Sequence, residues 1–180
     1  AFIDLSVAAV AQLNALGGQA AVGQVTALPF ANEQFDLVAA FDVIEHVDDD
    51  RLVFEELTRV LKPGGVLLCS VPLHATHWTS FDTLVGHARR YDPVELQRLL
   101  AHCGFVIEQS AVFGMQPNNS KLLDFGVYML NRRRRQAMRW YNRVFMPLGM
   151  FFQKKLTFTP GLMDTRNVYE VALVCRKRSA

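Results

Sequence analysis

Apolar and polar residues follow one another along this chain in two different rhythms. Residues 35–41 (FDLVAAF) form a nearly unbroken apolar run, which predicts a central parallel strand covered on both faces. From Asp48 to about Leu61 the apolar residues recur every three or four positions, which predicts an amphipathic helix. Pro63-Gly64-Gly65 ends that helix, and residues 66–71 are apolar again. The middle of the chain therefore predicts a strand–helix–strand unit.

The other elements are marked by their ends. Ser6 is a typical N-cap for a helix reaching about Leu16, and Asp92-Pro93-Val94-Glu95 is a typical start for a later helix. Further strands are predicted at 1–4, 20–23, 105–113 and 167–176. Strands that alternate with helices predict an α/β fold with a doubly wound, mainly parallel sheet.

We interpret the chain as one domain with an addition before its last strand. Residues 1–117 form the core of sheet and helices, 118–165 form a helical insert, and 166–176 hold the final strand. The insert is predicted to be mostly helical from Lys121 to about Lys155, with a break at Pro147-Leu148-Gly149.

The predicted fold begins partway through its usual pattern. A doubly wound nucleotide-binding sheet opens with a strand, a glycine-rich turn and a helix that holds the ligand. No G-x-G-x-x-G or P-loop motif occurs in these 180 residues. We therefore expect the natural protein to be longer at its N-terminus, and these residues alone to bind a nucleotide-like ligand weakly.

Composition excludes several classes of protein. With 51% hydrophobic residues, the chain is not intrinsically disordered. Its three cysteines are too few and too scattered for a disulfide framework or a thiolate metal site, which indicates a reducing, cytoplasmic setting. No apolar run approaches the ~18 residues of a membrane span, and the first residues do not resemble a signal peptide.

Charge divides the chain into two parts. Residues 1–117 hold 6 Lys/Arg and 14 Asp/Glu, a net charge of −8. Residues 118–180 hold 13 Lys/Arg and 3 Asp/Glu, a net charge of +10. An acidic core therefore carries a strongly basic insert.

Seven short segments in a fixed order carry a resemblance to a known family. None is specific alone, but together they resemble class I S-adenosylmethionine-dependent methyltransferases, particularly the small-molecule enzymes of the ubiquinone-biosynthesis type. The segments are FIDLS (2–6), ALPF (27–30), FDLV (35–38), FDVIEHV (41–47), RVLKPGG (59–65), GHARRY (86–91) and CGF (103–105).

The resemblance implies cofactor contacts at five positions. Asp4 stands where the family places an acidic residue on the ribose hydroxyls, and a carboxylate can accept two hydrogen bonds from a diol; the alternative for Asp4 is a helix-entry cap. Gln24 replaces the Asp that often accepts from the adenine amino group, and Val25 would donate its backbone N–H to the ring. Phe41 and Asp42 would face the methionine end of the cofactor.

Asp42, Glu45 and His46 lie within five residues, directly after the apolar strand. Two carboxylates and an imidazole could hold a divalent cation such as Mg²⁺ against a catechol-like substrate. Alternatively, Glu45 and His46 form the catalytic pair, with His46 taking the proton of a substrate hydroxyl. The third interpretation is structural, with both residues on a solvated loop edge.

Two later loops are candidates for the substrate mouth. His74, His77 and Trp78 follow the next predicted strand, and His87 and Tyr91 flank a pair of arginines in a segment that the family uses near its substrate. An ordinary polar surface loop is the alternative for both.

The basic insert combines arginines with aromatic residues. The arginines are Arg132–Arg135, Arg139 and Arg143, and Lys154 and Lys155 follow them. The large apolar residues interleaved with them are Met138, Trp140, Tyr141, Val144, Phe145, Met146, Phe151 and Phe152. Three interpretations remain open: an amphipathic helix on an anionic membrane, a nucleic-acid contact, or an oligomer face or substrate lid with solvated arginines.

The sequence therefore predicts a cytoplasmic S-adenosylmethionine-dependent methyltransferase for a small molecule. We favour O-methylation of a hydroxylated acceptor such as a lipid or a quinone-like molecule. For the insert we favour an oligomer face or a substrate lid with solvated arginines, and peripheral membrane contact is the next interpretation. The alternatives are a non-catalytic binding module with the same fold, and an RNA methyltransferase that uses the arginines.

Overall fold

The computed structural model describes residues 1–114, 120–148 and 155–179, and of residues 120–125 and 145 the backbone only. Seven strands and five helices follow one another in these ranges. The strands are β1 (Phe2–Asp4), β2 (Ala20–Val22), β3 (Phe35–Phe41), β4 (Leu61–Pro72), β5 (Phe105–Val112), β6 (Thr159–Pro160) and β7 (Glu170–Lys177). The helices are α1 (Val7–Ala15), α2 (Asp50–Val60), α3 (Ser80–Val85), α4 (Pro93–His102) and α5 (Ser120–Trp140).

The strands form two sheets. β1 and β2 pair in parallel as a separate two-stranded sheet. The larger sheet has the order β3-β4-β7-β5-β6, with β3 parallel to β4. β7 lies antiparallel between β4 and β5, so β3, β4 and β5 share one direction while β6 and β7 oppose it. The predicted α/β class is confirmed, and the sheet is mixed.

One strand lies elsewhere than predicted. β3 has the predicted bounds but stands at the edge of its sheet, because no strand in the described ranges pairs with its second side. Leu37 and Phe41 are 54% and 45% exposed. The prediction of a central, fully covered strand is therefore wrong for the described residues. An apolar run indicates which side chains a strand has, but it does not determine which strands lie beside it.

The core lies against the larger sheet. α2 contributes Val53, Phe54, Leu57 and Val60, and α4 contributes Leu96 and Leu100, all of them buried. β4 adds Leu67, Cys69 and Val71, and β7 adds Val171, Leu173 and Cys175. The apolar spacing of the two helices therefore faces the sheet, as predicted.

The helix starts follow the predicted chemistry. The Ser6 hydroxyl accepts from the Ala9 amide, and the Asp92 carboxylate accepts from the amides of Val94 and Glu95. Helix α3 was not predicted, although Thr79 and Asp82 form a capping box at its start.

The β1–β2 unit is tied to the body through the loop that follows β2. The Glu56 carboxylate accepts from the Leu28 amide, and it pairs with Arg59 at 2.7 Å. Arg59 in turn donates to the carbonyls of Leu28 and Phe30. Side chains of α2 thus position the loop, while hydrogen bonding between the two sheets is not seen in the described ranges.

The insert is helical at first and then returns to the sheet. α5 runs to Trp140 with a non-helical residue at Arg133, and a π-helical turn follows at Tyr141–Phe145. β6, which was not predicted, pairs with β5. The predictions for Gly149, Phe151, Phe152 and Lys154 concern residues outside the described ranges. Within the described part, none of the helices has both the length and the apolarity to cross a bilayer.

Candidate active site

The first candidate residues stand where β3 and β4 end. Asp42 follows β3 with a φ of 52°, a left-handed backbone conformation that is uncommon for residues other than glycine. Its amide donates to the Ser70 hydroxyl at 3.0 Å, and that hydroxyl donates to Asp42 Oδ1 at 2.5 Å. Ser70 therefore fixes both the backbone and the carboxylate of Asp42.

Glu170 is a second acidic residue at this edge, and sequence analysis missed it. Burial raises its pKa to about 8, with a further contribution from its hydrogen bond to Asp42. Gly114 leaves room for this side chain: a Cβ there would lie 2.0 Å from Glu170 Oε2. Glu170 therefore keeps its proton near neutral pH, beside Asp42. Nothing near Glu170 in the sequence signals this pairing.

Glu45 is fully buried, in the short 3₁₀ helix Ile44–His46. Both carboxylate oxygens lack a hydrogen-bond partner among the described residues. Burial raises the Glu45 pKa to about 7, and the charge of nearby Asp42 adds to this effect. The group is therefore poised to change charge near neutral pH, which is unusual for a glutamate.

His46 is exposed beside Glu45. Its Nδ1 lies 3.1 Å from the Gly86 carbonyl oxygen. A carbonyl only accepts hydrogen bonds, so Nδ1 carries the proton and Nε2 of the neutral ring keeps its lone pair. The loop carbonyl thus sets the tautomer that a general base needs.

A buried network supports this pair from behind. His87 Nδ1 lies 2.8 Å from Asp82 Oδ1, and its Nε2 lies 3.7 Å from Glu45 Oε1. Arg90 pairs with both Asp82 oxygens at 2.8 and 3.0 Å. Burial works against ionisation of Asp82, but its hydrogen bonds from Arg90 and Thr79 outweigh burial and lower its pKa. Burial lowers the pKa of His87, which keeps this imidazole neutral.

Asp82 and Arg90 were not predicted as site residues. The capping-box spacing of Thr79 and Asp82 was a signal for the helix start, but it does not show that Asp82 reaches Arg90 and His87. The buried Asp82 carboxylate holds His87 and Arg90, and a role of this loop at the substrate mouth stays a prediction.

The structure also shows which groups could hold a cation. One ligand atom from each of Glu45, His46 and His87 lies within 4.8 Å of the other two. Each imidazole binds an acceptor through Nδ1, which leaves Nε2 as the ligand atom, an arrangement common at metal sites. Asp42, which the sequence grouped with Glu45 and His46, is held by Ser70 instead.

The residues predicted to contact adenosine lie where β1 and β2 of the small sheet end. Asp4 ends β1, and its Oδ1 accepts from the Ser6 amide at 2.7 Å, which is the helix-entry role. Gln24 is exposed and follows β2, where its carbonyl accepts from the Ala27 amide. Val25 is half-buried against the core.

Phe41 ends β3 with an exposed ring that stacks on Phe113 at a centroid distance of 5.7 Å. Because β3 and β4 are parallel, Phe41, Asp42 and the residues after Pro72 lie at one edge of the sheet. The roles of all five cofactor residues remain predictions.

The loop that carries His74 and His77 packs against the segment that precedes β7. His74 Nε2 lies 2.7 Å from the Thr165 carbonyl oxygen, and the His77 ring stacks on Tyr169 at 4.3 Å. Tyr91 is a buried core residue. A cavity of about 480 Å³ lies nearby, lined by residues that include Asp50, Arg89, Arg90, Tyr91 and Glu95, and by none of the five predicted cofactor residues.

Known proteins resemble this chain in sequence. Residues 2–69 match the family model described as a methyltransferase domain. A Mycolicibacterium smegmatis protein named "Probable S-adenosylmethionine-dependent methyltransferase" is 38% identical over 90 residues, 49% of this chain and 35% of that protein. A ubiquinone biosynthesis O-methyltransferase of Dinoroseobacter shibae is 48% identical over 44 residues, 24% of this chain and 18% of that protein. The matches thus span about a third or less of these relatives.

Solved structures extend the likeness to the fold. A methyltransferase of Thermotoga maritima superposes with a TM-score of 0.61 at 16% identity, covering 98% of this chain and 72% of that one. The described fold is therefore similar to the fold of that protein over nearly the whole chain.

Proposed function

We propose that this chain, which resembles S-adenosylmethionine-dependent methyltransferases in sequence over residues 2–69 and in fold over nearly its whole length, serves O-methylation of a small hydroxylated molecule. Glu45 and His46 are the residues nearest the chemistry. The observation that carries the proposal is His46, an exposed imidazole with its tautomer fixed by Gly86 and a buried, unpartnered carboxylate beside it.

The residues present suit the donor. When bound, S-adenosylmethionine supplies a methyl group on a positively charged sulfur, which is already a good leaving group. A cation bound beside Asp42, Glu45 and Glu170 would favour the ionised forms of the two glutamates, whose pKa values burial raises. Asp4 at the end of β1 offers a carboxylate to a ribose diol. The protein's main task is then alignment and exclusion of water.

The acceptor proton is what the protein must remove. As the hydroxyl oxygen forms its bond to the methyl carbon, the carbon–sulfur electron pair leaves with sulfur, and the hydroxyl proton passes to His46 Nε2. His46 then carries a positive charge. An ionised Glu45 carboxylate stabilises that imidazolium, because one of its oxygens lies within 4.8 Å of the ring nitrogen. His87 is neutral, so it does not compete with the His46 imidazolium for the Glu45 carboxylate.

The acceptor we propose is lipid or quinone-like. The O-methyltransferase relative is named for ubiquinone biosynthesis, and the phenolic hydroxyl of such a compound has a pKa near that of tyrosine, about 10, so it needs a base at neutral pH. Aliphatic and aromatic side chains around Phe41 and Phe113 supply an apolar surface beside the acidic edge.

The test is His46→Asn in the full-length protein. The asparagine amide still donates to Gly86 but offers no basic nitrogen. With a panel of phenols and catechols and a labelled methyl donor, we expect kcat/KM to fall by about 10²- to 10⁴-fold. Donor affinity, measured by calorimetry, should not change. His102→Asn, at the exposed end of α4, is the matched control and should keep full activity.

The same assay separates the competing functions. A His46→Asn enzyme as fast as wild type would exclude His46 as the base. Donor binding without transfer to any acceptor would favour the non-catalytic module, and transfer to RNA alone would favour the RNA enzyme. A divalent cation was predicted at Asp42, Glu45 and His46, and we propose Glu45, His46 and His87 as the set that would hold it instead. If it holds, chelation should abolish activity and added Mg²⁺ or Zn²⁺ should restore it; unchanged activity after chelation would exclude it.

A further inference from the structure

The insert projects from the body as an exposed helix. From Asn131 to Val144 every side chain except Ala137 is exposed, and so are Met146, Pro147 and Leu148. α5 meets the body through its contacts with α3. A helix exposed on all sides gains little from the protein's own core, so its sequence reflects another partner.

The exposed helix has two distinct stripes. Arg135, Arg139 and Arg143 recur every four residues, which places them on one face. Trp140, Val144 and Leu148 also recur every four residues and lie on the neighbouring face, where Trp140 and Val144 line one cavity with Arg139 and Arg143. Trp140 is 61% exposed, Val144 40% and Leu148 53%. The apolar stripe therefore faces solvent where a core-packed helix would bury it.

The surroundings of the two stripes are uniformly basic. Between Asp124 and Asp164 the sequence holds no acidic residue and eight Lys or Arg residues. The guanidinium contacts described for this segment are a cation–π contact of Arg132 with Tyr128 and a bond from Arg139 to the Arg135 carbonyl. These charges are not neutralised by carboxylates of the segment itself.

We propose that residues 135–148 form an amphipathic helix that binds the surface of an anionic lipid bilayer. The Arg stripe meets the headgroup phosphates, and the Trp140–Val144–Leu148 stripe enters the boundary between headgroups and acyl chains. Tryptophan favours that boundary, since its ring is apolar while its N–H stays hydrated.

Charge and apolarity together select this partner. Symmetric pairing of this helix with the same helix of a second copy would bring arginines against arginines, which is repulsive. A nucleic acid would match the arginines, but it offers hydrocarbon partners neither to Val144 nor to Leu148. A bilayer with anionic lipids offers both phosphates and hydrocarbon.

The two tryptophans of the chain give a direct test. Trp78→Phe leaves Trp140 as the sole reporter, and its fluorescence should shift to the blue with vesicles of phosphatidylcholine and phosphatidylglycerol. Trp140→Phe leaves Trp78, which donates to Thr83 on another surface and should not shift. Vesicles of pure phosphatidylcholine should give little or no shift with either variant.

A second variant tests the charge. Each basic residue near an anionic surface contributes about a fivefold gain in binding, so replacing Arg135, Arg139 and Arg143 with Gln should weaken co-sedimentation roughly 100-fold. Replacing Arg51, Arg98 and Arg166 with Gln is the matched control and should leave binding unchanged. Added salt should weaken the wild-type protein in parallel.

Three results would overturn the proposal. These are equal binding to neutral and anionic vesicles, no blue shift of Trp140, or retention of binding by the triple arginine variant. RNA binding without vesicle binding would assign the helix to nucleic acid, and concentration-dependent dimers lost with Trp140→Ser would assign it to a second copy.

Discussion

Glu45 shows how one buried residue can influence both chemistry and stability. Its oxygens lack hydrogen bonds in a fully buried position, yet it lies beside an exposed histidine. A purely structural position would favour an apolar side chain there, because burying a carboxylate is costly. A glutamate whose pKa lies near 7 instead provides a charge that can appear when a proton arrives on His46.

The raised pKa of Glu45 predicts how stability depends on pH. The native state holds this proton up to about pH 7, whereas the unfolded chain releases it near 4.5. The contribution is fully present below about pH 4.5 and is lost as pH rises through 7, and it amounts to at most about 3 kcal/mol. Glu45→Gln cannot titrate, so its unfolding free energy relative to wild type should rise between pH 5 and 7.5.

Urea denaturation across that pH range measures this difference. Glu95→Gln, on the exposed start of α4, is the control and should track wild type at every pH. A constant difference between Glu45→Gln and wild type would show that Glu45 is ionised in the folded protein throughout. Glu170 contributes to the pH dependence with the same sign, and the charge of Glu45 is one of the causes of its raised pKa.

At the scale of elements, Asp82 connects parts of the chain that are far apart in sequence. It caps α3, pairs with Arg90, and orients His87. Arg90 also donates to the carbonyls of Leu73 and Tyr169, which adjoin β4 and β7. The loop that carries His87 and the carbonyl that fixes His46 therefore depend on one carboxylate.

Breaking this buried pair should cost more than breaking an exposed one. The Arg90 and Asp82 side chains are 8% and 0% exposed, whereas those of Arg166 and Asp164 are 86% and 59% exposed. Asp82→Asn leaves Arg90 buried without its counter-charge, and we expect a loss of about 3 kcal/mol in unfolding free energy. Asp164→Asn, in an exposed pair, should leave the unfolding free energy almost unchanged. Equal losses in denaturant titrations would mean that the Asp82 network does not hold the loop.

The contrast between predicted and missed features follows the range of the interactions. The bounds of β3 and the caps at Ser6 and Asp92 were predicted because each depends on residues within one turn or strand. The two-residue strand β6 and the pairing of Glu170 with Asp42 depend on residues that meet only after folding. Likewise, the Asp82 carboxylate could be read as a cap, but not as the partner of Arg90.

At the scale of the whole molecule, the donor site would be assembled from two sheets. Asp4 ends β1, and Gln24 and Val25 follow β2. Phe41 ends β3, and Asp42 follows it. The Glu56–Arg59 pair fixes the loop after β2 to α2, which itself packs on the larger sheet. Donor binding therefore depends on α2 as well as on the residues that touch the ligand.

Asp4 is the residue with which this assembly can be tested. If its carboxylate accepts from the ribose hydroxyls, Asp4→Ala in the full-length protein should weaken donor binding by about 1.5–3 kcal/mol, the range for hydrogen bonds to a charged group. Its Oδ1 also accepts from the Ser6 amide, so the variant could act through α1 instead.

Asp4→Asn separates the two roles, because its amide oxygen keeps the bond to Ser6 while the charge is removed. Calorimetry should then show weaker binding for both variants and a lowered Tm for Asp4→Ala alone. Asp36→Ala, which removes an exposed carboxylate near the start of β3, should bind the donor as wild type does. Unchanged affinity in both Asp4 variants would leave this carboxylate with its helix-entry role.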